Sequence, residues 1–485
     1  MSNMLSKLIA LPDFKVGPVY EKISKDGIKY TELDLIYEGP VPDICPDCGG
    51  KMYSHGNRKL TVTDTPFLGH PSKLTMNIPR RRCKDCQMIW RPEIRDVDEK
   101  HLMTTRAFTD IAQKSLKQTF ASVADEYMLA QNTIKNAFTD FIKEKEDTLR
   151  FKTPAFLGID EIKIKKLGEV TVITDLEHRT LYDMTLGRNQ ASLTEYFSRL
   201  PDADKVLWVC SDMYRPFEKS ISDALPNARW VIDRFHLVAY ANRAMDEVRK
   251  SVQKGMTKKN RIRTKKGLAY TMRTRLKNLT PGEAMKIRSC RNDPVLAPLA
   301  TAFDLKEDFF NIYDENLVSK ENAQQAFAEW ERSIPSDAMY DDFRKLAGTV
   351  HNFYEQIFNF WDCPISITNG FTECSNRIIR ENNVKGRGHS FEILRGRTLY
   401  RRSNIDSMLK NGTASIGPSI PAKGPVFHFE ETKKASVDED DTFDGIILDD
   451  PLMGLVPGVD FDPETGEIFE DVDDYEDDTY ASEDE

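Results

Sequence analysis

Apolar and polar positions change period several times along this chain, and each change predicts an element. Residues 1–40 alternate only weakly and predict nothing definite. Further on, TVTDTPFLG and SKLTMNIPRRR alternate at a period near two and predict the strands of a small β-ribbon. TRAFTDIAQKSLKQ, SVADEYM and NTIKNAFTDFIKEKE then carry helical spacing, with Ser122 or Thr119 available to cap the second helix and a break at Leu129–Gln131 before the third. Short helix, tight turn and longer helix form the helix-turn-helix pattern, with a plain helical hairpin as the alternative. From Thr153 the runs AFLGIDEIKI, EVTVITDLE and RTLYDMTLG predict an antiparallel meander. NQASLTEYFSRL (helix), KVLWVCSDM (strand), RPFEKSISDAL (helix) and ARWVIDRFHL (strand into helix) follow. The order β-β-β-α-β-α-β is that of an α/β, ribonuclease H-like core. Residues 236–360 read as mostly helical, and the core resumes near Ile365.

At 485 residues the chain should form two or three domains. Its net charge is −10, but residues 436–485 hold 21 Asp plus Glu and no Lys or Arg, so residues 1–435 carry 68 − (78 − 21) = +11. A basic body suits a polyanion partner. The acidic tail after about Gly417 is predicted to be disordered or only locally ordered. It reads as a solubilising tail, with a DNA mimic competing for the basic surface as the alternative. No apolar run reaches eighteen residues, and MSNMLSKLIALPDFKVG lacks the pattern of a secretory signal, so a cytoplasmic protein without a membrane span is expected.

Of eight cysteines, four form the pairs Cys45/Cys48 and Cys83/Cys86, and Cys210, Cys290, Cys363 and Cys374 are scattered. Two Cys-x-x-Cys knuckles with 34 residues between them predict a tetrahedral four-thiolate Zn2+ site with the β-ribbon in its loop. With four thiolates available, His55 is expected at the surface.

Three acids suit metal-dependent phosphodiester chemistry. Asp160 and Asp212 interrupt apolar, β-branched runs, and Glu373 opens a polar helical segment. A buried ionised Asp in such a run is costly unless paired or metal-bound. Three converging carboxylates can hold two Mg2+ (or Mn2+) ions about 3.5–4 Å apart, the arrangement that activates an attacking oxygen and neutralises a leaving one. Asp160 and Glu161 point to opposite faces of a strand, so Glu161 is the alternative ligand or a supporting group. Asp212 could instead cap the helix starting at Arg215. Asp233 and His236 are expected to support the site: Asp233 as a fourth ligand or else as a cap of the following helix, His236 as a phosphate contact or else as a packed surface histidine. Asn376 and Arg380 share the helical face of Glu373.

Candidate DNA contacts are Arg80, Arg81 and Arg82 beside the second knuckle, and Gln131, Asn132 and Lys135 at the start of the third helix. Lys258, Lys259, Arg261 and Arg263 lie in KKNRIRTKKG, and Lys385, Arg387, Arg395 and Arg397 in the glycine-punctuated KGRGHSFEILRGRTLYRRS.

In order, CPDC…CKDC, the helix-turn-helix, GIDE, SDMY, VIDRFH, N-x-x-x-E-x-x-N and LRGRTLYRR resemble the ISL3-type transposases of bacterial insertion sequences, over roughly residues 40–405. The resemblance implies a DDE triad of Asp160, Asp212 and Glu373 in a ribonuclease H-like fold with a helical insertion before the glutamate. It also implies a zinc ribbon and helix-turn-helix that bind terminal inverted repeats. Mg2+-dependent cleavage would free a 3′-hydroxyl that attacks target double-stranded DNA, in a homodimer or higher assembly on the nucleoid. Cys374 stands where the family commonly has Gly. The expected organisation is an N-terminal segment (1–40), zinc ribbon (41–95), helix-turn-helix (101–150), first core part (153–240), helical insertion (241–362), resumed core with the glutamate helix (363–410) and acidic tail (417–485). Two other functions compete: a DNA-binding regulator with an inactive core, and a nuclease of the same fold that cuts without joining.

Overall fold

The computed structural model describes residues 9, 11–257, 261, 268–313, 319–386, 388–417, 459–461 and 468–470. The chain divides into two units: Met1–Phe151, Ile164–Leu167 and Ile378–Ala422 form the first, and Lys152–Lys163, Gly168–Arg377 and Lys423–Glu485 the second. Lys258, Lys259, Arg263, Arg387 and most of the acidic tail lie outside the described residues. Within that tail, Val459–Phe461 pairs antiparallel with Ile468–Glu470.

The first unit opens with a seven-stranded sheet. Its strands are β1 (Phe14–Ile23), β2 (Lys29–Tyr37), β3 (Met52–Phe67), β4 (His70–Cys83), β5 (Ile89–Trp90), β6 (Val97–Asp98) and β7 (Met103–Thr104). The order is β1-β2-β4-β3-β7-β6, with β5 on β4. The weakly patterned N-terminal segment thus supplies two full strands. In β2 only Thr31, Leu33 and Leu35 alternate inward, and the outer half of β1 is exposed on both faces, so too few buried positions recur to show a period. β3 and β4 form the expected ribbon. Leu68 and Gly69, both at positive φ (50° and 81°), make its two-residue turn, the backbone that matches strand twist. One sheet face buries Leu33, Leu35, Leu60, Val62, Leu74, Met76 and Ile78.

Three helices follow: α1 (Thr105–Ser115), α2 (Phe120–Tyr127) and α3 (Gln131–Thr148). The Thr104 and Thr119 hydroxyls accept from Ala107 N and Ser122 N and so cap the first two. Met128 in the left-handed region turns the chain, and α3 starts after Ala130 with no side-chain cap. Ile134, Ala137, Phe138, Phe141 and Ile142 face inward, while Gln131, Asn132, Lys135 and Asn136 are exposed. A short strand, β8 (Leu149–Phe151), ends this stretch.

The second unit is built on β9 (Phe156–Ile164), β10 (Gly168–Asp175), β11 (Thr180–Leu186), α4 (Gln190–Ser198), β12 (Trp208–Ser211), α5 (Arg215–Ala224), β13 (Arg229–Ile232) and α6 (Arg234–Lys254). This is the element order the sequence predicts. The sheet runs β11-β10-β9-β12-β13. β10 and β11 are antiparallel, whereas β12 lies parallel to both β9 and β13. β9 is buried on both faces through Asp160, as a central strand must be. The helical insertion comprises α7 (Pro281–Asn292), α8 (Ala297–Asn311), α9 (Lys320–Ser333), α10 (Asp341–Asn352) and α11 (Tyr354–Phe358). Its core holds Lys306, whose ammonium donates to the Met272 and Thr274 carbonyls and pairs with Glu307 at 2.8 Å.

The chain then forms α12 (Gly370–Lys385), α13 (Phe391–Leu399), α14 (Arg402–Lys410) and β14 (Ala414–Ile416). β14 pairs antiparallel with β8 inside the first unit. No helix among the described residues is long and apolar enough to cross a membrane.

Candidate functional site

The register of three parallel strands sets the acids. Cys210 on β12 pairs with Gly158 on β9, so two residues further along Asp212 is level with Asp160. Ser211 pairs with Ile232 on β13, so Asp212 is likewise level with Asp233. Asp212 and Asp233 therefore follow the C-terminal ends of adjacent parallel strands, where open α/β sheets place ligands, and Asp160 stands mid-way along β9 beside them.

Glu373 arrives from α12, and polar clamps seat that helix. Asn369, fully buried, donates from Nδ2 to the Ile159 carbonyl (2.9 Å) and accepts from the Thr372 hydroxyl (2.6 Å). Thr372 also meets the Thr174 hydroxyl at 2.6 Å. Asn376 donates from Nδ2 to Asp160 Oδ2. The helix lies so close to β9 that a Cβ on Gly158 would meet the Thr174 and Thr372 hydroxyls at 2.5 Å each. Asp233, 1% exposed, accepts from Asn369 N and the Thr368 hydroxyl, both at 3.3 Å. It occupies the N-cap position of α6 without capping it. Its carboxylate thus braces the segment leading into α12.

Asp160, Glu373 and His236 each offer a ligand atom, and these lie within 4.8 Å of one another. Asp212 lies outside this closest group, yet near enough for its charge to raise the Asp160 pKa. Burial is the main cause holding the Asp160 carboxyl well above the carboxylate range; Glu373 adds to it and His236 opposes it. Carboxylates crowded in this way repel one another unless a cation joins them, so the donor set fits divalent metal. Tyr214, not Asp212, is the N-cap of α5, and it makes no side-chain cap bond, so the capping role considered for Asp212 is not realised. Glu161 pairs with Arg188, which also reaches Glu169 at 3.2 Å and lies over the Tyr214 ring. Burial pushes the Glu161 carboxyl up to about 7 against the pull of Arg188, with Asp212 adding to the rise.

The cysteines converge at the end of the β3–β4 ribbon. Cys45 and Cys86 sulfurs are 3.6 Å apart and those of Cys48 and Cys83 3.4 Å, with all four within 4.8 Å. Ligands about 2.3 Å from a tetrahedral centre are separated by nearly that much. The Cys86 and Asp85 backbone amides donate to the Cys83 sulfur and help bring that thiol down to about 7. The set suits structural Zn2+, and His55 is not part of it.

Gln131, Asn132 and Lys135 are exposed on the first turns of α3. Arg80, Arg81 and Arg82 are half-buried on β4, and Arg81 lies 3.5 Å from Asp43. Arg261 and Lys385 are exposed, and Arg395 pairs with Glu146 at 2.8 Å. Arg397 requires a correction. Expected on a phosphate-tracking surface, it is 3% exposed, with its guanidinium over the rings of Phe120 and Phe138. Burial lowers it to about 10. On α13 the apolar neighbours Phe391, Ile393 and Leu394 share the buried side, and Arg397 falls among them.

Sequence reasoning assigned no role to Gly158, Thr174, Asn369 or Thr372. Only Asn369 left a signal, as the first residue of N-x-x-x-E-x-x-N.

Two family models match this chain. One, described as a transposase of the DDE, ISL3 type, covers residues 157–398. The other, a zinc-finger of transposase IS204/IS1001/IS1096/IS1165, covers residues 42–86. The transposase for insertion sequence element IS1001 of Bordetella parapertussis is 25% identical over 229 residues, 44% of this chain and 54% of the relative. The match thus spans about half the length of that curated relative.

Proposed function

Since this chain belongs to the ISL3-type transposase family, we propose that it binds the terminal inverted repeats of an insertion sequence, cleaves there, and joins the freed ends to target DNA. The observation that carries this reading is the meeting of Asp160 and Glu373 with Asp212 level on the adjacent strand. The sheet order β11-β10-β9-β12-β13 supports a ribonuclease H-like core, and the α1–α3 arrangement supports a helix-turn-helix.

Asp160, Asp212 and Glu373 would hold two Mg2+ or Mn2+ ions. When bound, these supply charge neutralisation at the attacking and leaving oxygens of the phosphodiester. The residues themselves position the site. Asn376 orients the Asp160 carboxylate, Asn369 and Thr372 lock α12 onto the sheet, and Asp233 fixes the approach to that helix. The exposed polar start of α3 would enter a groove of the end DNA, and the zinc ribbon would hold the β3–β4 arm in shape. Cleavage at two ends calls for a dimer or higher assembly acting where the nucleoid is, in the cytoplasm.

Incubation of the purified protein with a plasmid carrying the element's ends and Mg2+ or Mn2+ tests the reading. Nicking at the ends, followed by joining of pre-cleaved ends to a target, is expected for wild type. Asp160→Asn should bind the ends equally and lose cleavage by a factor of about 10³ or more, given the charge stabilisation that centre supplies. End binding with no cleavage by either protein would favour the regulator. Cleavage without joined product would favour the plain nuclease.

A further inference from the structure

We propose that His236 is a direct metal ligand, completing with Asp160 and Glu373 a mixed nitrogen–oxygen site for one divalent ion. The proposal rests on the carboxylate reading above and deepens it: one of the two ion positions is a carboxylate site, the other carries an imidazole.

Three observations lead there. First, a ligand atom of His236 lies within 4.8 Å of ligand atoms of both Asp160 and Glu373. Donors on a single ion with bonds near 2.1 Å stand roughly 3–4.2 Å apart, so little adjustment closes the set. Second, His236 Nε2 is buried without a hydrogen-bond partner. A packed histidine would normally satisfy both ring nitrogens or leave one in water. Third, Asn376 is 1% exposed and spends its Nδ2 on Asp160, while its Oδ1 stays buried without a partner beside the same cluster. An ion with its bound water supplies what such an acceptor lacks.

The fold also holds the imidazole in place. His236 sits in the first turn of α6, three residues after Asp233, whose carboxylate braces the entry to α12 and hence Glu373. Phe235 meets the imidazole edge-on at 5.8 Å. Asp233 thus braces the approach to the oxygen donor, and His236 follows it by three residues on α6. Imidazole favours transition ions over Mg2+, so this position should take Mn2+ in preference.

Pulsed electron paramagnetic resonance of Mn2+ added below stoichiometry to the full-length, zinc-loaded protein tests this. The expected result is modulation from a directly bound nitrogen, changing to the 15N pattern when the protein carries 15N-histidine. His236→Gln should abolish the modulation and weaken Mn2+ binding by about tenfold or more. If His236→Gln does not fold, the labelled wild type beside Asp160→Asn still decides: a histidine signal that Asp160→Asn removes supports the ligand. Mn2+ bound in an Asp160-dependent way with no nitrogen signal overturns the role of His236 and leaves the carboxylate reading intact. Mn2+ binding indifferent to both substitutions overturns both.

Discussion

Gly158 shows how one residue decides the geometry around Asp160. The absence of a side chain there lets α12 approach β9 closely enough for Asn376 to reach Asp160. Gly158→Ala should cost about 1–3 kcal/mol through overpacking. A shift of α12 of even part of an ångström should also lower end cleavage by about tenfold or more. Urea unfolding and the nicking assay measure the two effects, and an unchanged cleavage rate would show that α12 tolerates displacement. Arg397 makes the opposite case, a charged residue that serves packing. Arg397→Ala should lower stability by about 2–4 kcal/mol, in the range for emptying a large core site. The slope of log affinity against log salt for DNA should not change. A phosphate contact would instead reduce that slope by about 0.9.

Among the elements, α3 is the one whose two faces divide its work. Its apolar residues recur at helical spacing and are buried, while Gln131, Asn132, Lys135 and Asn136 stay exposed. Lys135→Ala should weaken binding to end DNA and to unrelated DNA alike and lower the salt slope by about 0.9. Fluorescence anisotropy at several salt concentrations reads this. Loss confined to end DNA would instead mean that Lys135 touches a base. The contrast with α13 is instructive. Both helices carry cations, but α3 keeps Lys135 on the polar face, whereas α13 is buried nearly all round and takes Arg397 inward.

At the scale of the whole molecule, the four-cysteine centre and the carboxylate site belong to different compact units. Removing zinc should therefore separate two functions. With a strong chelator, the Cys45–Cys86 arm should lose its cross-strand closure, because four thiols in contact have no other cation to hold them. Sequence-specific end binding is expected to fall by about tenfold or more, as loss of a structural metal site destabilises the elements it closes. Mn2+-dependent nicking of non-specific plasmid should persist. Gel shift and nicking on the same preparation check this, and simultaneous loss of both activities would show that the zinc centre also supports the catalytic unit.

Period, spacing and chemistry along the chain were enough to determine the β-ribbon, the three-helix segment, the β-β-β-α-β-α-β order and the four cysteines, and to single out Asp160 and Glu373, which the fold brings together. These depend on local periodicity or on residue types rarely placed in apolar runs without cause. β1 and β2 escaped because the outer half of β1 is exposed on both faces and only three positions of β2 alternate inward. Tertiary structure alone decided that Asp233 braces rather than caps and that His236 joins Asp160 and Glu373. It also turned Arg397 inward and made Gly158 the contact point for α12. Each of these depends on partners far away in sequence, or on which side of a nearly all-buried helix meets its neighbour. No pattern within a local window records such a distance.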